Sequence, residues 1–212
     1  MPRDIYILIA IMLYGFALYF VPLHSASFYF DDISSIQDNE AIKKIDIPKI
    51  FNAFNTRSLV GLSFALNYRW CGLHPAGYRL INLLIHCLNA FLVYLLVKST
   101  WRGNEWPAFF ASMLFLCHPI QTEPVNYITQ RFVLMGTLFY LASLCLYVKS
   151  LPCQPPGLTR FYYFCSLTTA IAAMFCKEFT VTLPFMSLCM IFTFCITKRS
   201  GSVAAVYYRF LP

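Results

Sequence analysis

The chain has 212 residues, of which 59% are hydrophobic, 18% aromatic and only 12% charged, with a mean hydropathy of +0.62 and a formal net charge of +7. A soluble domain is about 25% charged, so this chain lacks the charge to coat a water-facing surface, and its apolar content excludes disorder. Its 16 Lys and Arg are scattered without a basic stripe, which excludes nucleic acid as a partner and leaves a polytopic protein of the lipid bilayer.

Ile5 to Leu23 is free of charge and long enough to cross a bilayer core about 30 Å thick. Ser25-Ala26-Ser27 resembles a signal-peptidase site, but the run is longer than a signal peptide's apolar core and Asp4 lies in front of it. A first span is therefore expected. It is followed by a large extracytoplasmic loop over residues 24–79.

Within this loop, Phe28-Tyr29-Phe30-Asp31-Asp32 places two carboxylates beside an aromatic cluster. Mutual repulsion and partial desolvation raise the affinity of such a pair for a proton, as a general base requires. The plainer reading is a helix start capped by the acids. Ile47, Ile50, Phe51 and Phe54 follow at helical spacing with Pro48 in the first turn, and Leu59 to Tyr68 is a second apolar stretch. Both are expected to be interfacial helices lying on the membrane. Arg57 and Arg69 flank the second and suit lipid headgroups.

Leu80 to Val97 is the second clean span. Asn82, His86 and Asn89 recur on it at helical spacing and are expected to hydrogen-bond to neighbouring helices, not to hold a metal. Trp106 to Cys117 is shorter and stops at His118-Pro119. The polar run His118 to Pro124 leads on to Asn126, Tyr127 and Arg131, bracketed by two prolines. A His, Glu123 and Arg131 together suit an anionic headgroup, the arginine forming a fork to phosphate. The plainer reading is a polar turn with snorkelling side chains.

Phe132 to Val148 and Phe161 to Cys176 are further apolar runs. Lys177-Glu178 separates the latter from Phe179 to Thr197, which Pro184 would bend. Six spans are thus expected, in an all-α polytopic membrane protein with no soluble domain.

Nine cysteines, an odd number without a CxxC pair, support neither a disulfide framework nor a zinc site. Most are expected to be small packing residues. A divalent metal on Asp31, Asp32 and His118 is chemically conceivable, but no ligand spacing supports it, and no cofactor is expected. A cytoplasmic N-terminus puts Arg3, Lys98, Arg102, Lys149, Arg160, Lys198, Arg199 and Arg209 inside, against Arg131 and Lys177 in the short outer segments. The inner side then carries +6 and the outer side +1, although the outer side holds seven of the nine acids. Chemistry is expected on that outer side.

Phe30-Asp31-Asp32-Ile33, Arg57-Ser58-Leu59, Ser63 to Tyr68, Gly72 to His86, His118 to Ile128 with Arg131, Lys177-Glu178 and Leu183-Pro184 form an ordered set. It resembles the membrane half of the transmembrane and tetratricopeptide-repeat O-mannosyltransferases and their bacterial relatives, within the C-type (GT-C) glycosyltransferases. The likeness runs from about residue 5 to 200.

The resemblance implies a polyprenyl-phosphate-linked sugar, such as mannose, as donor and a protein or glycan hydroxyl as acceptor. It implies Asp31, or its neighbour Asp32, as the base for an inverting in-line attack. Arg131, then Lys177, with His118, would bind the donor phosphate, and Glu123, Glu178, Arg57 and Arg69 would support the site. The membrane would be a bacterial inner membrane or the endoplasmic reticulum.

Members of that family continue through further spans and repeats. This chain is therefore expected to be a truncated module, a single unit over 1–212: a fragment, a truncated gene product, or a subunit completed by another chain. The rival reading is a non-catalytic membrane component that keeps the fold. A transporter fits less well, because no inverted halves and no mid-span charges appear.

Overall fold

The computed structural model describes residues 2–25, 27–101, 104–151 and 156–193, and these contain helices and no strands. The first helix, α1 (Pro2–His24), is followed by a π-helical turn, Ile33–Gln37. Three helices then make a cap: α2 (Glu40–Lys43), α3 (Ile47–Phe54) and α4 (Ser58–Cys71). Asn39 and Asp46 start the first two by accepting the N–H groups of Ala41 (3.0 Å) and Lys49 (3.3 Å), which orphan donors at a helix start require.

The long α5 (Pro75–Thr100) and short α6 (Trp106–Cys117) come next. His118 is extended, as a residue before proline must be, and ends α6. The remaining helices are α7 (Thr122–Asn126), α8 (Arg131–Ser150), α9 (Pro156–Met174) and α10 (Glu178–Thr193), the last opening with a 3-10 turn, Glu178–Thr182.

Among the described residues, three helices are long and apolar enough to cross a membrane: Arg3–Leu23, Pro75–Thr100 and Ile128–Ser150. The other three expected spans do not meet that length and composition within the described residues, and the last, Phe179 to Thr197, continues outside them. At 1.5 Å per residue, α6 covers about 18 Å and α10 about 24 Å of its described length, and Arg160, Tyr162, Tyr163, Ser166 and Thr168 dilute α9.

α5 is the hub of the bundle, packing on α1, α6 and α8, while α8 also carries α9. Gly15 lets α1 come close, because a Cβ there would stand 2.6 Å from Cys87 Sγ. The three polar residues of α5 bridge to neighbours as their spacing predicts. Asn82 Nδ2 donates to Ile128 O (3.2 Å), Asn89 Nδ2 donates to Leu134 O (3.0 Å), and His86 Nε2 lies 3.2 Å from Leu116 O.

The cap shares a core with the bundle: Ile36, Ile42, Ile50, Phe54, Val60 and Phe64 pack with Tyr78 of α5 and Ile128. The apolar face predicted for α3 is therefore split. Ile50 and Phe54 turn inward, and Ile47 and Phe51 stay exposed.

At one end of α5, Arg79 donates to the carbonyl of Pro22 (2.7 Å). At the other, Lys98 pairs with Asp4 and with Glu105 (3.1 Å), and Arg3 lies 3.4 Å from Glu105. Helix rise puts about 28 Å between Arg79 and Lys98, close to the thickness of a bilayer core. Arg102, Lys198, Arg199 and Arg209, counted above for sidedness, lie outside the described residues, as do Ala26, Cys153 and Cys195. The seven described cysteines are free thiols, with Cys87, Cys145 and Cys176 buried.

Candidate active site

A cavity of about 640 Å³ opens at the end of the bundle that carries Arg79. Four segments far apart in sequence line it. The turn after α1 gives Asp31 and Ser34, the α3–α4 turn gives Phe54 to Arg57, the start of α8 gives Thr129, Gln130 and Phe132, and the α9–α10 turn gives Lys177 and Glu178.

Phe30 has φ +44°, a left-handed conformation uncommon for a bulky residue, immediately before the two acids. The chain then enters a helical turn, and the two carboxylates meet different surroundings. Asp32 is buried and accepts the N–H groups of Thr129 (2.8 Å) and Tyr29 (3.2 Å). It thereby staples the turn after α1 to the segment before α8. Burial raises its carboxyl above the ordinary range in spite of these bonds. Asp31 is exposed and lines the cavity, while its backbone N–H donates to the Tyr127 hydroxyl (3.2 Å). Only one member of the pair is thus free to meet a substrate.

Also lining the cavity, Arg57 donates from Nε (3.0 Å) and Nη2 (2.8 Å) to the same oxygen, Glu178 Oε1. Its guanidinium carbon stands 5.3 Å from the centre of the Phe132 ring. Lys177 has an extended backbone, and among the described residues it makes no ion pair. Asn55 ends α3 with φ +47° and ψ −121°, a combination that favours glycine, and it also faces the cavity. Strain of this kind gathers at functional sites.

Arg131, read from the sequence as a fork onto a lipid phosphate, is wholly buried in the structure. It donates to Asn82 Oδ1 (2.8 Å), Asn67 Oδ1 (2.7 Å), Tyr78 O (2.9 Å) and Ser63 O (3.4 Å), and its guanidinium lies 4.6 Å from the centre of the Phe64 ring. A guanidinium has five N–H donors, and these acceptors take four of them inside the protein. Arg131 therefore fastens α4 and α5 to α8.

The remaining expected residues also lie away from the cavity. His118 is exposed, and its Nδ1 accepts the Ile120 N–H (3.2 Å) to cap a 3-10 turn. Glu123 is not in the lining but accepts from Nε2 (3.2 Å) of Gln130, which is. Arg69 is exposed near the end of α4. Among the described residues no group of three His, Cys, Asp or Glu stands close enough to hold a metal, so Asp31, Asp32 and His118 do not gather. Ser34, Asn55 and Gln130 escaped sequence reasoning because they reach the cavity through turns that carry no periodicity, and Phe132 because it reads as one more apolar residue of α8.

A second, apolar groove of about 320 Å³ begins across the α3–α4 turn. Ile47, Phe51, Leu59 and Leu62 form one side, and Ile171, Ala172 and Phe175 of α9 and its end form the other. One stretch of chain thus serves both: Ala53 to Arg57 line the polar cavity, and Ile50, Phe51 and Ser58 on either side of them in sequence line the apolar groove.

The chain is similar to several curated proteins. It is 30% identical to protein O-mannosyl-transferase tmtc2 of Xenopus laevis, over 91% of this chain and 25% of that protein. It is 31% identical to protein O-mannosyl-transferase TMTC2 of Mus musculus, over 92% of this chain and 25% of that protein. It is 29% identical to protein O-mannosyl-transferase TMTC3 of Homo sapiens, over 78% of this chain and 19% of that protein. The chain thus spans about a quarter or less of the length of these relatives. No protein-family model matches it, and no solved structure matches it.

Proposed function

We propose that this chain forms the catalytic face of a membrane O-mannosyltransferase. On this reading it transfers a sugar from a polyprenyl-phosphate-linked donor to a hydroxyl of a protein on the extracytoplasmic side. The observation that carries this reading is the meeting of Asp31, Arg57, Lys177 and Glu178, drawn from distant segments, around one polar cavity that shares a stretch of chain with an apolar groove. Homologues named protein O-mannosyl-transferases support the reaction class.

Asp31 takes the proton of the acceptor hydroxyl, whose oxygen attacks the anomeric carbon in line with the leaving group. The bond from that carbon to the phosphate oxygen breaks, the linkage inverts, and the lipid phosphate leaves with an added negative charge. Lys177 and Arg57 stabilise this charge, in the manner of any preorganised cation aimed where charge develops. The isoprenoid tail of the donor lies in the apolar groove between α3, α4 and α9. The residues expected by sequence for phosphate binding are thereby narrowed. Lys177 keeps that role, Arg57 joins it, and Asp32 and Arg131 hold the walls. Arg79 and the cavity share one end of the bundle, which is then the extracytoplasmic end, with Lys98 and the N-terminus on the cytoplasmic side.

The test is transfer from dolichyl-phosphate mannose to a Ser/Thr peptide by the purified chain in lipid nanodiscs, with Asp31→Asn alongside. A loss of at least about 100-fold with unchanged helical content is expected, the usual worth of a general base. Undiminished transfer by Asp31→Asn would overturn the assignment of the base.

A further inference from the structure

We propose that Glu178 is a built-in substitute for the donor's phosphate, holding Arg57 until the donor arrives and then exchanging places with it. The proposal rests on the reading of the cavity as a lipid-phosphate site.

The geometry of the pair is that of a substitute, not of a permanent lock. Both Arg57 donors converge on a single oxygen, Oε1, at 3.0 and 2.8 Å, instead of the two parallel bonds of a matched fork. The partners come from positions 121 residues apart, and their side chains are 39% and 63% exposed. An ion pair so exposed contributes little to the fold, so its exchange for another anion is inexpensive. The guanidinium does not depend on Glu178 for its placement, because it also rests against the Phe132 ring at 5.3 Å. Contacts of Arg with an aromatic face favour a cation that stays when its partner leaves.

Charge balance points the same way. With Glu178 on Arg57, the cavity's two carboxylates, Asp31 and Glu178, offset its two cations, Arg57 and Lys177. When a phosphodiester displaces Glu178, Arg57 and Lys177 face one negative charge. That becomes nearly two on the departing monoester, so the match improves along the reaction, which is the condition for catalysis. The return of Glu178 to Arg57 then helps to eject the product dianion. The ligand chemistry is a terminal phosphate, supplied either by a lipid or by free phosphate.

The experiment is binding to phosphatidylcholine nanodiscs containing the chain, titrated with dolichyl phosphate or, separately, with inorganic phosphate. Glu178→Gln keeps the shape and removes the charge. It is expected to bind dolichyl phosphate about three- to tenfold more tightly than the unaltered chain, the range set by releasing an exposed pair and removing one nearby charge. The gap should shrink at 1 M salt, where charges act over only about 3 Å. In turnover, Glu178→Gln should show a lower KM for donor and stronger inhibition by dolichyl phosphate.

Equal affinity in the two forms would overturn the exchange while leaving the cavity reading intact. Weaker binding by Glu178→Gln would overturn it in favour of a positioning residue. A gain with inorganic phosphate but none with dolichyl phosphate would overturn the lipid assignment. Failure of both forms to bind dolichyl phosphate would overturn the cavity reading itself.

Discussion

Arg131→Lys separates a buried fastener from a phosphate ligand. Lysine keeps the positive charge but replaces a planar fork with a compact ammonium of three donors. It cannot serve Asn82 Oδ1, Asn67 Oδ1, Tyr78 O and Ser63 O in their present places. At least two buried acceptors lose their donor, each at a cost of about 1–3 kcal/mol. The total is about 2–6 kcal/mol, overlapping the cost of breaking a buried charge network. For a chain of this size 1 kcal/mol moves the melting temperature by about 2–4 °C, so a fall of roughly 4–24 °C is expected. Scanning fluorimetry of the nanodisc-embedded chain measures it, and the donor KM of the folded fraction should stay within about twofold. An unchanged melting temperature with a strongly raised donor KM would refute the reasoning, because it would place Arg131 on the ligand.

Three further outcomes follow from the same geometry. Because Asp32 holds its proton more tightly when folded, the folded chain binds more protons than the unfolded one just above the ordinary carboxylate range. Stability should therefore fall as pH rises through that window and level off beyond it, and Asp32→Asn should remove the slope in melting curves between pH 4 and 7, limits set by about the free aspartate value and neutrality. Asn55→Gly, which relieves φ +47°, should stabilise the chain by about 1 kcal/mol, and denaturant titration checks the sign. Gly61→Ala should destabilise by about 1–3 kcal/mol, because its Cβ would stand 2.4 Å from the Phe54 ring, and a lower melting temperature would register it.

Several parts of the molecule were legible in the residues. The poverty of charge marked a bilayer protein, and Asn82, His86 and Asn89 announced interhelical bonds because a polar group on an apolar helix must find a partner. Asp31 and Lys177 were picked out because charge beside apolar spans is costly and therefore informative. The cavity brings these two together, whereas His118, Glu123 and Arg69 belong to other surfaces. Arg57 and Glu178 were expected only as supports, yet they line the same cavity as Asp31.

What the sequence by itself determined is thus the solvent of the protein, the helical class and the short set of charged residues from which a site must be built. These depend on composition and on the 3.6-residue period, which are local properties. Which charge faces a ligand was decided only by the tertiary structure. Asp31 and Asp32 are neighbours with the same chemistry, and a left-handed residue at Phe30 and the N–H groups of Thr129 and Tyr29 divide them into a free carboxylate and a buried staple. Arg131 and Lys177 are both cations at helix starts. Three buried amide and carbonyl oxygens lying close together claimed the first, and nothing among the described residues claimed the second. Partners that lie dozens of residues apart leave no trace in local spacing, and it is those partners that assign each charge its role.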